Sequence, residues 1–363
     1  MGRRVRPIAV PAGGFRRIAV LRLSSLGDVI LTLPVVRALH RFFPAARIEY
    51  WTKEEFADVV RFDPAIAHVR RLERDARGPE DLISMSAELE DCDLIVDLHR
   101  STRTRVLTFR QKAPVLRAAS FRLTRARWVH ARWSRPRPAP HALERYAAAL
   151  APLAIAAEGV PELEAGEEAE RWAAEWLKAW RPPETPVALC PGARHATKRW
   201  PEAHWLALDE ALARRGAARL YLSLEAERQA LPALAARVAG DPGVRWSCEP
   251  LPRMAAQLSR CRAAITCDSG LMHLAAARGL AVVAMFGSTS PALGFSPAGE
   301  GHQVLCRNEP CQPCTLHGRE ACPQRHFRCM TELRPEQVLA ALSQIEARRL
   351  IEPGAPSASG AGR

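Results

Sequence analysis

Short apolar runs of four to seven residues recur along the chain, separated by segments whose apolar positions repeat at helical spacing. In the first half, "RIAVLRL" (17–23), "RIEYWT" (47–52), "HVRRL" (68–72), "DLIVDL" (93–98) and "VLRAA" (115–119) read as strands. Helical patterns fall between them at 29–41 and 79–90. Such alternation predicts a parallel sheet covered by helices on both faces. A proline-rich stretch, "SRPRPAPH" (134–141), precedes an alanine-rich helix at 142–151 and a second helix at 167–180. "RPPETP" (181–186) then stops any helix, because proline lacks the amide donor and clashes with the preceding turn.

The alternation restarts beyond that point. "VALC" (187–190), "ARLYLS" (218–223), "VRWSC" (244–248), "AAITC" (263–267) and "AVVAMF" (281–286) read as buried strands. Helical stretches fall at 202–214, 225–239, 251–260 and 270–278. A cysteine-rich loop (306–329) and a final helix near 335–349 follow. The expected organisation is two α/β, doubly wound domains: 1–157, a linker with a helix at 158–186, and 187–334. A helix at 335–350 and a disordered tail at 351–363 complete it. Ligands in open parallel sheets bind at the carboxyl ends of the strands, so two such units facing one another would form a binding cleft.

Composition narrows the class. At 363 residues the chain exceeds the ~250 that one core usually supports. Hydrophobic residues make up 48%, which excludes global disorder. No apolar run approaches the ~18 residues needed to span a bilayer. The basic N-terminus "MGRRVRPIAVPAGGFRR" is broken by proline and glycine before a secretory core can form, so a cytoplasmic protein is expected. Its ten cysteines are then free thiols or metal ligands. The net charge of +13 is concentrated: Arg100 to Arg145 holds 13 Lys or Arg and one acid, Glu144, interleaved with Phe109, Phe121, Trp128 and Trp133. A one-signed run of that length points to a polyanion or an anionic membrane face.

Three strand-to-helix junctions carry the candidate chemistry. In "LRLSSLGDVILTLP" (21–34) a single glycine, Gly27, is expected to make a tight turn, followed by Asp28. Asp28 reads either as the N-cap of the next helix or as a group presented to a ligand. In "CPGARHATKRWPEAHW" (190–205), Lys198 precedes a Trp-Pro helix start. In "TCDSGLMHLAAA" (266–277), Asp268 and Ser269 open a helix through Gly270, with His273 in its first turn. The amides of Ser269, Gly270 and Leu271 would face an anion there, favoured by the helix dipole; Asp268 or Ser269 as a plain cap is the alternative.

The order and spacing of "IAVLRLSSLGDVILTLPVVRALHRFFP", "PGARHATKRWPEAHW", "CDSGLMHLAAARGLAVVAMFGSTSP" and the cysteine segment resemble the ADP-heptose:lipopolysaccharide heptosyltransferases, glycosyltransferase family nine. The resemblance runs from residue 17 to about 340. It implies the GT-B architecture, an acceptor domain first and a nucleotide-sugar domain second. It implies Asp28 as catalytic base and Lys198 on the donor diphosphate. Asp268, Ser269, Gly270, Leu271 and His273 would form the donor loop. An acid after the second strand of the second domain, Glu227 or Glu225, would hold the ribose, although Ser223 stands where relatives often have glycine. Ser25, Arg100 and Arg103 are expected at the acceptor, and the role of Arg194 stays open.

The implied chemistry is a metal-independent single displacement with inversion, needing no cofactor. Positive charge would stabilise the departing diphosphate while a carboxylate takes the acceptor's proton. The implied partners are an ADP-heptose donor, an acidic or phosphorylated glycolipid acceptor and the inner-membrane surface, with peripheral attachment and no nucleic acid. Cys311, Cys314, Cys322 and Cys329 form a possible structural zinc set, free thiols being the alternative. Competing readings are a family member with another sugar or acceptor, a sugar-nucleotide epimerase on the same scaffold, and a basic nucleic-acid-binding protein. The last lacks a recognisable reading motif.

Overall fold

The computed structural model of the protein describes residues 6–72, 79–131 and 137–351. Its strands form two sheets, and every pairing in both is parallel. The first holds β1 (Arg17–Leu21), β2 (Arg47–Lys53), β3 (His68–Leu72), β4 (Leu94–Asp97) and β5 (Val115–Arg117), in the order β3-β2-β1-β4-β5. The second holds β6 (Val187–Cys190), β7 (Arg219–Leu222), β8 (Val244–Ser247), β9 (Ala263–Cys267), β10 (Val282–Phe286) and β11 (Gln303–Cys306). Their order is β11-β10-β9-β6-β7-β8.

Two compact units contain these sheets. One takes the residues up to Ser120 together with Pro140–Glu164; the other takes Phe121–Ala139 and the residues from Ala165 onward. In the second, Arg125 lies over the Phe295 ring at 5.6 Å, and Ala139 donates its amide to the Ala292 carbonyl. The helix Arg122–His130, in the middle of the basic stretch, thus packs with the later half of the chain.

Central strands are buried along their whole length, β6, β9 and β10 without exception. This is why they read as continuous apolar runs: helices cover both faces of a parallel sheet. The expected helix 29–41 is instead two, Leu26–Ile30 and Leu33–Phe42. Pro34 cannot donate to the Ile30 carbonyl and so starts a new helix. Pro232 likewise divides 225–239 into Glu225–Gln229 and Pro232–Val238. At 142–151 the helix ends at Ala147, and a 3-10 turn, Ala148–Leu153, carries Pro152. Strand β11 was not anticipated; it is a part-exposed edge strand, too short and too polar at its ends to stand out. Trp133, residues 134–136 and the tail from 352 lie outside the described residues.

Charge is buried in the second sheet away from its ligand edge. Arg219 (3% exposed) meets Asp209 (0%) at 2.9 Å and Asp241 at 2.5 Å, while Tyr221 donates to Asp209 at 2.9 Å. Removing Asp209 leaves the buried Arg219 with Asp241 alone and the buried Tyr221 hydroxyl without its acceptor. Asp209→Ala is expected to lower unfolding free energy by ~3–5 kcal/mol, measured by urea denaturation. A loss below ~1 kcal/mol, the range of a surface pair, would show that the network is solvated.

Candidate active site

In a sheet of order 3-2-1-4-5, successive crossovers leave in opposite directions on either side of the first strand, opening a crevice at the carboxyl ends of strands one and four. In the first sheet those strands are β1 and β4, which pair from Ile18↔Leu94 to Leu21↔Asp97. Residues 22–28 follow one and residues 98–100 the other. Arg22, largely buried, ties the two together by donating to the Leu98 carbonyl at 2.7 Å.

Asp28 stands at the centre of this edge. Its Oδ2 lies 2.8 Å from Arg22 Nη2 and accepts from Ser25 Oγ at 2.9 Å and Ser25 N at 3.3 Å. Its Oδ1 accepts from the Tyr146 hydroxyl at 2.5 Å. Burial by itself would raise the carboxyl's pKa; the Arg22 charge, joined by the Tyr146 and Ser25 hydrogen bonds, outweighs it and holds the group well below the usual carboxylate range. Asp28 keeps 16% of its side chain exposed. It is not the N-cap: Ser25 is, and Asp28 occupies the third helical position, its carboxylate reaching back to the Ser25 amide. Gly27 makes no separate turn and lies within the helix Leu26–Ile30.

The same edge carries His99 and Asp97, which the sequence reading did not name, beside Arg100, which it did. His99 follows β4; burial, then the Arg22 charge, push its pKa down to about 4, so it is neutral near neutral pH. Asp97, fully buried, accepts from the amides of His99 (3.1 Å) and Arg100 (2.7 Å) and fixes their turn, with Arg100 at φ 54°. Arg100 donates to the Ala118 carbonyl at 2.8 Å, and Arg117 to Thr108 Oγ1 at 3.0 Å. With Arg105 and the 82%-exposed Phe109 they line a cavity of about 540 Å³. Arg103 is half-buried in the helix Thr102–Leu107 and does not line that cavity.

The second sheet repeats the order, so its crevice falls between β6 and β9, and Lys198 and Asp268 follow those two strands. Lys198 Nζ lies 2.7 Å from Asp268 Oδ2, which also accepts from Thr289 Oγ1 at 2.6 Å. Ser269 is the N-cap of the helix Gly270–Ala277, yet its side chain makes no capping bond and its Oγ is buried without a hydrogen bond. The half-buried Ser269, Gly270 and Leu271 therefore present a first turn that no side chain caps. His273 is 5% exposed, so it belongs to the packed interior of this helix.

Glu227 accepts from the Leu224 amide at 3.0 Å and presses its carboxylate on Gly192, where a Cβ would fall 2.0 Å from Oε2. A side chain at that position would have to displace the Glu227 carboxylate. Glu225 instead pairs with Arg228 at 3.6 Å. Arg194 is exposed. The loop carrying Lys198 is clasped from outside: Thr197 N donates to the Arg319 carbonyl at 3.0 Å, and Arg319 N to Thr197 Oγ1 at 2.8 Å.

The cysteine segment supplies that clasp. Cys314 donates its amide to the Ser288 carbonyl at 3.0 Å, and Ser288 in turn donates to the Thr197 carbonyl at 3.1 Å. Cys311 Sγ lies 3.7 Å from His326 Nε2. Burial first, then the neighbouring Cys314, Cys311 and Cys322, push the Cys329 thiol up to about 12. All ten cysteines are free, and among the described residues no group of three or more His, Cys, Asp or Glu is placed to hold a metal ion.

Some of the missed groups left traces. Arg22 is a charge inside an apolar strand end, a pattern that itself asks for a buried partner. Tyr146, 118 residues from Asp28, left none.

Comparison with known proteins identifies the family. The lipopolysaccharide heptosyltransferase 1 of Pseudomonas aeruginosa PAO1 is 31% identical over 348 residues, covering 89% of this chain and 93% of that protein. Among solved structures, a glycosyl transferase family 9 protein from Veillonella parvula superposes with a TM-score of 0.76 at 22% identity, covering 92% of this chain and 98% of its own. The E. coli heptosyltransferase WaaC with ADP superposes at 0.64 with 19% identity, covering 91% and 99%. The fold is thus the GT-B arrangement of two parallel α/β units seen in the heptosyltransferases. The model of glycosyltransferase family 9 (heptosyltransferase) matches residues 83–322, and with that match and a relative aligned along most of its length the chain belongs to glycosyltransferase family 9.

Proposed function

We propose that the protein transfers a heptose from ADP-heptose to a lipopolysaccharide core acceptor. The near full-length match to a lipopolysaccharide heptosyltransferase carries this reading. The two switch-point edges supply residues suited to it. In the second unit, Lys198 and the uncapped amides of the helix Gly270–Ala277 form a fixed positive field for the leaving diphosphate, with no cofactor required. Asp268 orients Lys198, and Glu227, set against Gly192 at the end of β6, is the acid assigned to the ribose. His273, buried, shapes the donor helix from within.

In the first unit, Asp28 removes the acceptor hydroxyl's proton as that oxygen attacks the anomeric carbon, inverting it. Ser25, exposed beside the carboxylate, and Arg100 and Arg103 meet the acceptor. The cavity formed by Arg100, Arg105 and Arg117 suits a phosphate or carboxylate on it, since guanidinium forks match both. No helix among the described residues is long and apolar enough to cross a membrane. The basic stretch supports peripheral attachment to the cytoplasmic membrane face.

Three outcomes are expected. ADP at about 100-fold over its Kd should stabilise the protein by ~2.7 kcal/mol, and Lys198→Ala should lose most of that thermal shift, from an unliganded Tm that is itself lower because Asp268 loses its partner; a full response removes Lys198 from the site. Asp28→Asn, which keeps shape and removes the base, should reduce turnover by about 10²–10⁴-fold while the ADP response persists. Normal turnover in an ADP-heptose assay would leave Asp28 a purely structural residue. Binding to vesicles bearing acidic glycolipid should weaken steeply with salt. Tighter binding to duplex DNA at equal ionic strength would favour the nucleic-acid reading instead.

A further inference from the structure

Both oxygens of the Asp28 carboxylate are already engaged, and they are engaged unequally. Oδ2 faces Arg22, the Ser25 hydroxyl and the Ser25 amide, three donors that fill its lone-pair directions. Oδ1 has one hydrogen-bond partner among the described residues, the Tyr146 hydroxyl, and by its lone pairs can accept from one more donor. Tyr146 comes from the helix Ala142–Ala147, is itself buried, and lies face-on beneath the Arg22 guanidinium at 5.2 Å. A rigid phenol packed against the arginine therefore sets the plane of the carboxylate and the one direction left for a further donor.

We propose that Tyr146 is a positioning residue for the transfer: its hydroxyl fixes the Asp28 carboxylate so that the open side of Oδ1 receives the acceptor's nucleophilic hydroxyl. The proposal rests on Asp28 being the base. In the step it serves, the acceptor O–H bond breaks and its proton passes to Asp28 Oδ1. The acceptor oxygen bonds to the anomeric carbon, and the bond from that carbon to the diphosphate oxygen breaks, releasing ADP. Tyr146 keeps its own proton throughout, because burial pushes its pKa up, with the Asp28 charge adding to the rise.

The pH dependence has a definite sign. The groups acting on Asp28 are Arg22 after β1, Tyr50 on β2, His99 after β4 and Tyr146. Burial pushes the Tyr50 hydroxyl up, so it stays protonated, and His99 is neutral above about 4. Arg22 is then the fixed charge, and Tyr146 the removable donor that helps keep the carboxylate ionised. Without that donor the Asp28 pKa rises, and activity that needs the carboxylate is lost at a higher pH than in the unchanged protein.

The test compares kcat and KM across pH for Tyr146→Phe and Asp28→Asn, with the ADP thermal response confirming that each variant is folded. Tyr146→Phe is expected to lower kcat by about ten- to a hundredfold, leave the donor KM unchanged and move the acid limb of kcat upward. A ring-fluorinated tyrosine at the same position, a stronger donor of nearly the same shape, should keep kcat and move the limb downward; it decides the matter if the phenylalanine variant does not fold. If Asp28→Asn is inactive but the acid limb moves neither in Tyr146→Phe nor in the fluorinated variant, the role of Tyr146 alone is overturned. Normal turnover of Asp28→Asn overturns the base and, with it, this proposal.

Discussion

Parallel pairing is the constraint from which the functional edges follow. A parallel strand cannot be reached by a hairpin, so each pair needs a crossover, and right-handed crossovers place helices on both faces of the sheet. Strand order then decides where the chain leaves a gap. In both sheets the first strand in sequence lies beside the fourth, with crossovers diverging on either side. The segments that follow those two strands border that gap, and Asp28, His99, Lys198 and Asp268 all stand on them.

The two edges solve opposite electrostatic problems with the same device. A carboxylate in the first is kept ionised by a neighbouring arginine, and a lysine in the second is held by a neighbouring carboxylate. Each charge is mostly out of water, where leaving it alone would cost several kcal/mol after relaxation. Pairing offsets that cost and also fixes direction, which a solvated surface ion lacks. The further hydroxyls, Tyr146 on one carboxylate and Thr289 on the other, complete the coordination.

Much of this organisation was readable in the amino-acid order. Buried parallel strands leave continuous apolar runs, so the ten anticipated strands are all present, and the residues just after them were the natural candidates. Prolines 34 and 232 each sit within an apolar pattern whose helical periodicity runs on across them, so each pair of short helices reads as one longer helix. Strand β11 was hidden because its four residues run directly into the cysteine-rich segment, whose composition reads as loop. Tyr146 and the Thr197–Arg319 contact were beyond reach for another reason: side chains over a hundred positions apart meet only through tertiary folding.

The clasp on the Lys198 loop also orders events in time. The first unit has all its residues once the chain has been made to Glu164. The Lys198 loop lacks its partner until Arg319 emerges, roughly 10–30 s later at synthesis rates of ~5–20 residues per second. A nascent chain therefore passes through a period in which the carboxylate edge is complete while the lysine loop is still untied. The lysine loop takes its final shape only after the cysteine segment has folded back on it.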